Sequence, residues 1–158
     1  MASVFLAFEP LTGRRLVRVY QRRTKSDYCR FQQEIVKQWS EAETIVEVQD
    51  NLNTHNASSF YENLPASEAR ALTTRFEMHY TPKKGSWLNM AEMELSALSR
   101  QCLSRRIPEI EILSRELESI VKERNKLAVK FKWQFTVEKA RKKLNRHYEN
   151  VILKTNVT

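Results

Sequence analysis

The opening twenty residues constrain the fold most. Residues 4–9 (VFLAFE) and 15–20 (RLVRVY) each carry the β-branched and aromatic content of a strand. The Pro10-Leu11-Thr12-Gly13 stretch between them supplies the proline and glycine that a hairpin loop uses. A lone hairpin is marginal in water, so the rest of the chain must cover it.

Beyond the hairpin, helical and strand-like segments alternate. A helix predicted after Ser26, its expected cap, places Tyr28, Phe31, Ile35 and Trp39 on one face at helical spacing. Residues 44–48 (TIVEV) read as a short strand that runs into Asp50. Residues 57–75 read as helical with a break near Pro65, and 76–80 (FEMHY) as another strand. A helix from about Met90 puts Ala91, Leu95, Leu98 and Cys102 inward. Pro108 opens the next, with Ile110, Leu113, Leu117, Ile120 and Val121 as its stripe. A strand-like KFKWQF precedes a last helix from Thr136, with Val137, Ala140, Leu144 and Tyr148 inward. The order predicts an α/β fold, a mixed sheet flanked by helices. At 158 residues the chain is sized for one domain.

Composition removes several functions. With only two glycines, Gly13 and Gly85, no Gly-rich phosphate loop is possible. Two cysteines, Cys29 and Cys102, lack metal-ligand spacing and read as reduced thiols of a cytoplasmic protein. No zinc constellation, nucleophile elbow, signal peptide or membrane-spanning run is present in the sequence, so no membrane partner is expected.

Charge points to a polyanion. The chain has 27 Lys and Arg against 19 Asp and Glu, a net +8. Residues 101–158 hold 14 basic and 7 acidic side chains, nearly the whole excess. Lys139, Arg141, Lys142, Lys143 and Arg146 line the polar side of the last helix, fit either for phosphate contact or as a solvated face. Lys83, Lys84 and Trp87 interleave basic and aromatic character, which suits nucleic acid, while Trp87 equally suits a core gap.

Two carboxylates stand out. Asp50 comes after a strand, where it can start a turn with Asn51, cap the next helix, or sit where ligands collect in open α/β sheets. Glu92 lies three residues after Asn89, the spacing of a capping box; Glu94 shares its turn and points elsewhere. Taken together, Asp50 and Glu92 suit a Mg²⁺ site with substrate phosphate oxygens, and two such ions can drive phosphodiester cleavage. His55 can face the same cleft or serve structurally; His79 and His147 read as structural or surface residues.

VQDNLNTH (48–55) and HYTPKKGSWLNMAEMELSALSRQCLSRRIP (79–108) resemble the bacterial insertion-sequence branch of the Tc/mariner transposases. FEPLTGRR (8–15) and KWQFTVEKARKKLNRHY (132–148) resemble its early hairpin and C-terminal end. The resemblance implies a ribonuclease-H-like DDE endonuclease that uses two Mg²⁺ or Mn²⁺ ions to cut DNA at transposon ends and join it to target DNA. By motif, Asp50 matches the second carboxylate and Glu92 the third, 42 positions apart, with Asn51 and His55 as accessory residues.

The family's first carboxylate lies on a strand upstream of the opening hairpin. The expectation is therefore a partial catalytic domain over 1–108, lacking that first strand, with a basic helical extension over 109–158 packed on it. Such a chain is expected to be inactive alone. It would work with DNA, with full-length transposase or with a second copy as a homodimer, near the nucleoid of a bacterial cytoplasm. The alternative is a non-catalytic remnant that binds DNA or transposase as a regulator.

Overall fold

The computed structural model describes residues 2–50, 55–81, 90–102 and 105–130, with 138, 139, 141, 142 and 145. The hairpin forms where the sequence places it. β1 (Ser3–Phe8) and β2 (Arg15–Tyr20) pair antiparallel, from Ser3 opposite Tyr20 to Phe8 opposite Arg15. Gly13 closes the loop at φ +82°, a region where a side chain is strained. A Cβ there would also lie 3.0 Å from the Ala128 carbonyl carbon and the Val129 oxygen.

α1 (Lys25–Gln38) begins slightly earlier than expected. Thr24, not Ser26, is the cap: its hydroxyl accepts from the Asp27 amide, and the Asp27 carboxylate accepts from the Thr24 amide. Thr24 has the extended backbone a cap requires, whereas Ser26 already lies inside the helix. The inward face is the one expected, with Tyr28, Phe31, Ile35 and Trp39 all buried.

β3 (Ile45–Gln49) and β4 (Phe76–Tyr80) pair in parallel, joined through α2 (Ser58–Asn63) and α3 (Ala66–Thr73), which Pro65 separates. The expected strand is displaced by one residue, so Asp50 is the first residue beyond it. α4 (Met90–Cys102) and α5 (Ile110–Lys126) complete the named elements. The strand-like reading of 130–135 (KFKWQF) lies outside the described residues except for Lys130, which is in no strand, and most of the last helix lies outside them too; the described residues between 138 and 145 are helical.

The strands do not merge into one sheet. They form two pairs, β1–β2 and β3–β4, and no described strand bridges them, which corrects the expectation of a single mixed sheet. Strand patterns in a sequence reveal which faces are buried but not which edges pair. What unites the pairs is α1. Phe5 and Leu16 from the hairpin, and Ile45, Phe76 and Met78 from the parallel pair, pack into one cluster with the α1 face and Phe60, Ala69 and Leu72. The hairpin's other face carries Val4, Leu6, Val17 and Val19, which pack with Leu98 and Cys102 of α4 and Leu117 and Val121 of α5. The hairpin is thus a central layer with helices on both sides. Each large apolar side chain buried in these clusters stabilises the fold by about 1.5–3 kcal/mol.

Both cysteines are buried free thiols, and burial pushes their pKa values up.

Candidate active site at the end of β3

Alternation along β3 turns Ile45, Glu47 and Gln49 toward α1 and leaves Val46 and Val48 exposed. Gln49 is a buried polar residue at the strand's last position. Its side-chain oxygen accepts from the Tyr28 hydroxyl at 3.0 Å, and its amide donates to the His55 carbonyl at 3.4 Å. The next residue is Asp50, whose Oδ1 lies 2.7 Å from His55 Nδ1. A carboxylate accepts, so Nδ1 carries the hydrogen.

The His55 ring is fixed by its surroundings. It stacks on Tyr28 at 4.8 Å between centroids and 17° between planes, and it packs on Phe5 at 5.8 Å. Its side chain is 13% exposed, while that of Asp50 is 41% exposed. The second Asp50 oxygen makes no hydrogen bond to any described residue. One carboxylate oxygen is therefore held by the fold, on a side chain that stays partly open to solvent.

Glu47, two residues before Gln49 on the same face, accepts from Gln32 at 2.9 Å, and its Oε2 is buried without a partner. Burial pushes its pKa up to about 7, with the Gln32 bond opposing. Burial likewise pushes Tyr28 well above the ordinary phenol value.

Glu92 occupies the first turn of α4 and is exposed. Glu94, two residues on, is committed elsewhere. Its Oε1 accepts from Arg15 Nε at 2.7 Å and Arg124 Nε at 2.8 Å, and its Oε2 accepts from the Nη2 atoms of both, at 3.2 and 3.1 Å. Burial alone would raise the Glu94 pKa; the hydrogen bonds and charges of Arg15 and Arg124 outweigh it and lower the value. Of the two glutamates on that turn, only Glu92 has its carboxylate out of the core.

The structure brings Asp50 and His55 together. It does not join Glu92 to Asp50 by any described contact: His55 packs on the α1 side of the hairpin, and α4 covers the other side. Among the described residues, no group of three or more His, Cys, Asp and Glu side chains forms a metal cluster. Asn51, Lys83, Lys84, Trp87, Asn89, Lys143, Arg146 and His147 lie outside the described residues. Lys139, Arg141 and Lys142 are exposed in a helical stretch. His79 is a surface residue, 2.7 Å from Glu77. No helix among the described residues is long and apolar enough to cross a membrane.

Sequence reasoning missed Tyr28 and Gln49 as supports of this corner. Tyr28 counted only as core, although a buried hydroxyl needs a partner. Gln49, a polar side chain at an inward strand position beside Asp50, was the available signal.

A family model for DDE superfamily endonucleases matches residues 1–114. The chain belongs to that family. The match spans the hairpin, Asp50, His55 and Glu92, and it ends inside α5. No curated protein and no solved structure matches the chain. The α/β arrangement of small sheets and helices is consistent with a DDE nuclease. Membership implies a transposase-like nuclease with DNA as its substrate, and DDE endonucleases generally use divalent metal ions.

Proposed function

We propose that this chain is the C-terminal part of a DDE transposase of the bacterial insertion-sequence branch of Tc/mariner. In this reading it serves metal-dependent cleavage and strand transfer at insertion-sequence ends on a ribonuclease-H-like domain. The observation that carries the reading is the family match over 1–114, which includes both carboxylates of the DN and LN-x-x-E motifs. Asp50 supports it structurally: it stands just beyond the carboxyl end of a parallel strand, with one oxygen held by His55 and the side chain partly exposed.

The donor chemistry fits a hard divalent cation, because Asp50 and Glu92 both offer carboxylate oxygens outside the core. Asp50 and Glu92 are the residues that would hold Mg²⁺ or Mn²⁺. A bound pair of such ions would supply a polarised nucleophile and neutralise charge on the leaving oxygen. The chain's own part is to hold the Asp50 carboxylate at a fixed angle and to draw DNA against it. Lys83, Lys84, Trp87 and the basic residues Lys139, Arg141, Lys142, Lys143 and Arg146 are the proposed DNA contacts, with Asn51 and His55 accessory. Residues 109–158 are the proposed basic extension of the catalytic part, 1–108.

With two of the family's three carboxylates, the chain alone is inactive in this reading and needs a third from elsewhere. The edges of β1 and β3 that face away from β2 and β4 have no strand partner among the described residues. Such edges favour pairing with another polypeptide. They also favour the second reading, a remnant that binds DNA or full-length transposase as a regulator. The setting proposed for either is the bacterial cytoplasm, on the nucleoid when DNA is bound.

Nicking of supercoiled plasmid in Mn²⁺, comparing the chain with its Asp50→Ala and Glu92→Ala variants, tests this. No nicking by folded protein that still binds DNA is the expected result. Nicking lost in both variants would overturn the inactivity and extend the enzyme reading to the chain alone. Nicking that both variants retain would contradict the assignment of the two carboxylates.

A further inference from the structure

We propose that His55 is a positioning residue for the Asp50 carboxylate: its Nδ1–H fixes one oxygen so that the other is aimed at a divalent cation. This rests on the reading of Asp50 as a metal ligand.

The geometry carries it in three steps. Asp50 is the first residue beyond β3, and a short carboxylate there rotates freely unless something holds it. His55 Nδ1, 2.7 Å from Oδ1, is the one described group that does. The imidazole itself is doubly constrained. Its ring is stacked on Tyr28 and packed on Phe5, and its backbone carbonyl accepts from Gln49. Tyr28 in turn donates to Gln49, which closes a ring of contacts from α1 through β3 to the segment beyond it. Position and angle of the Nδ1–H bond are thus set by the packed core rather than by solvent.

A purely structural histidine would not need this arrangement. Stacking on Tyr28 and Phe5 requires an aromatic ring but no ring nitrogen. The nitrogen is spent on an oxygen of a 41%-exposed carboxylate, where water would serve equally well if only solvation were at stake. What a fixed donor adds is orientation. Groups that orient a metal ligand in this way typically change metal affinity by roughly 10–100-fold when removed.

The test is Mn²⁺ binding to the whole chain, read by solvent-proton relaxation, with thermal melting of every variant. His55→Phe keeps a ring for Tyr28 and Phe5 but has no donor. His55→Asn keeps a donor near the Nδ1 position. Asp50→Asn removes the ligand. The expected pattern is Mn²⁺ binding by the parent chain, loss in Asp50→Asn, and weakening of about tenfold or more in His55→Phe with its melting temperature retained. His55→Asn should bind within a few-fold of the parent.

Parent-like binding by His55→Phe, or a loss in His55→Asn equal to that in His55→Phe, overturns the positioning role while Asp50→Asn keeps the ligand assignment standing. Equal binding by the parent and Asp50→Asn, or none by the parent, overturns the ligand assignment and the positioning role with it.

Discussion

Glu94 and Arg15 meet as a fully buried ion pair, Oε1 to Nε at 2.7 Å, with each side chain 1% exposed. Arg124 closes on the same carboxylate from α5, so one side chain ties α4 to the hairpin and to α5. Arg15 further donates to the Val129 carbonyl at 2.6 Å and to the Gly13 carbonyl, which secures the loop at the far end of the hairpin. Removing the carboxylate leaves two guanidinium groups without compensation. Glu94→Ala is expected to cost about 3–5 kcal/mol, the range for breaking one side of a buried pair. Glu92→Ala, on the exposed face, should stay within about 0.5 kcal/mol. Urea unfolding of the two variants makes the comparison, and equal losses would refute the division of labour between them.

Glu47 should set a pH dependence of stability. Its folded pKa is raised to about 7 from an ordinary carboxyl value of 4.5, so the folded chain binds the proton more tightly than the unfolded one. Its contribution is therefore fully present below about pH 4.5 and is lost as pH rises through about 7. At about 1.4 kcal/mol per pKa unit, the loss is up to about 3 kcal/mol. Glu47→Gln imitates the protonated form. Its stability relative to the parent chain should climb between about pH 5 and 8 in urea titrations. A constant difference across that range would mean Glu47 is solvated.

Much of this fold was legible because burial obeys two simple periods. The hairpin, α1, the helix break at Pro65 and the stripe of α5 could be read from spacing, since each element buries one face. Caps were less legible. Thr24 and Ser26 both suit the role, and only the reciprocal bond with Asp27 separates them. Long-range partners were not legible at all. Glu94 could be seen to point away from Glu92, but nothing local says that it meets Arg15, 79 positions earlier, and Arg124, 30 positions later. Asp50 was legible from the strand that precedes it, and its partner His55 as one of two readings, facing the same cleft or serving structurally. Gln49 left a trace as a polar side chain at an inward strand position, but its bond to Tyr28 emerges only once α1 is docked on β3.

DNA contact by the basic segment should be electrostatic. Arg141 and Lys142 are exposed, and each phosphate contact contributes roughly 0.9 to the slope of log affinity against log salt. The Arg141→Gln, Lys142→Gln double variant is expected to bind random duplex DNA more weakly and to lower that slope by up to about two. Fluorescence anisotropy at several salt concentrations reads both. An unchanged slope would assign these side chains to a solvated face.

Asp50 and Glu92 are proposed to serve one metal site, although no described contact joins them. Fe²⁺ in place of Mg²⁺, with ascorbate and peroxide, cuts the polypeptide next to wherever the ion is bound. Cuts are expected near both Asp50 and Glu92, suppressed together by excess Mg²⁺ and lost together in Asp50→Asn. Cuts near only one of the two residues, or cuts near Glu92 that survive Asp50→Asn, would contradict a shared site.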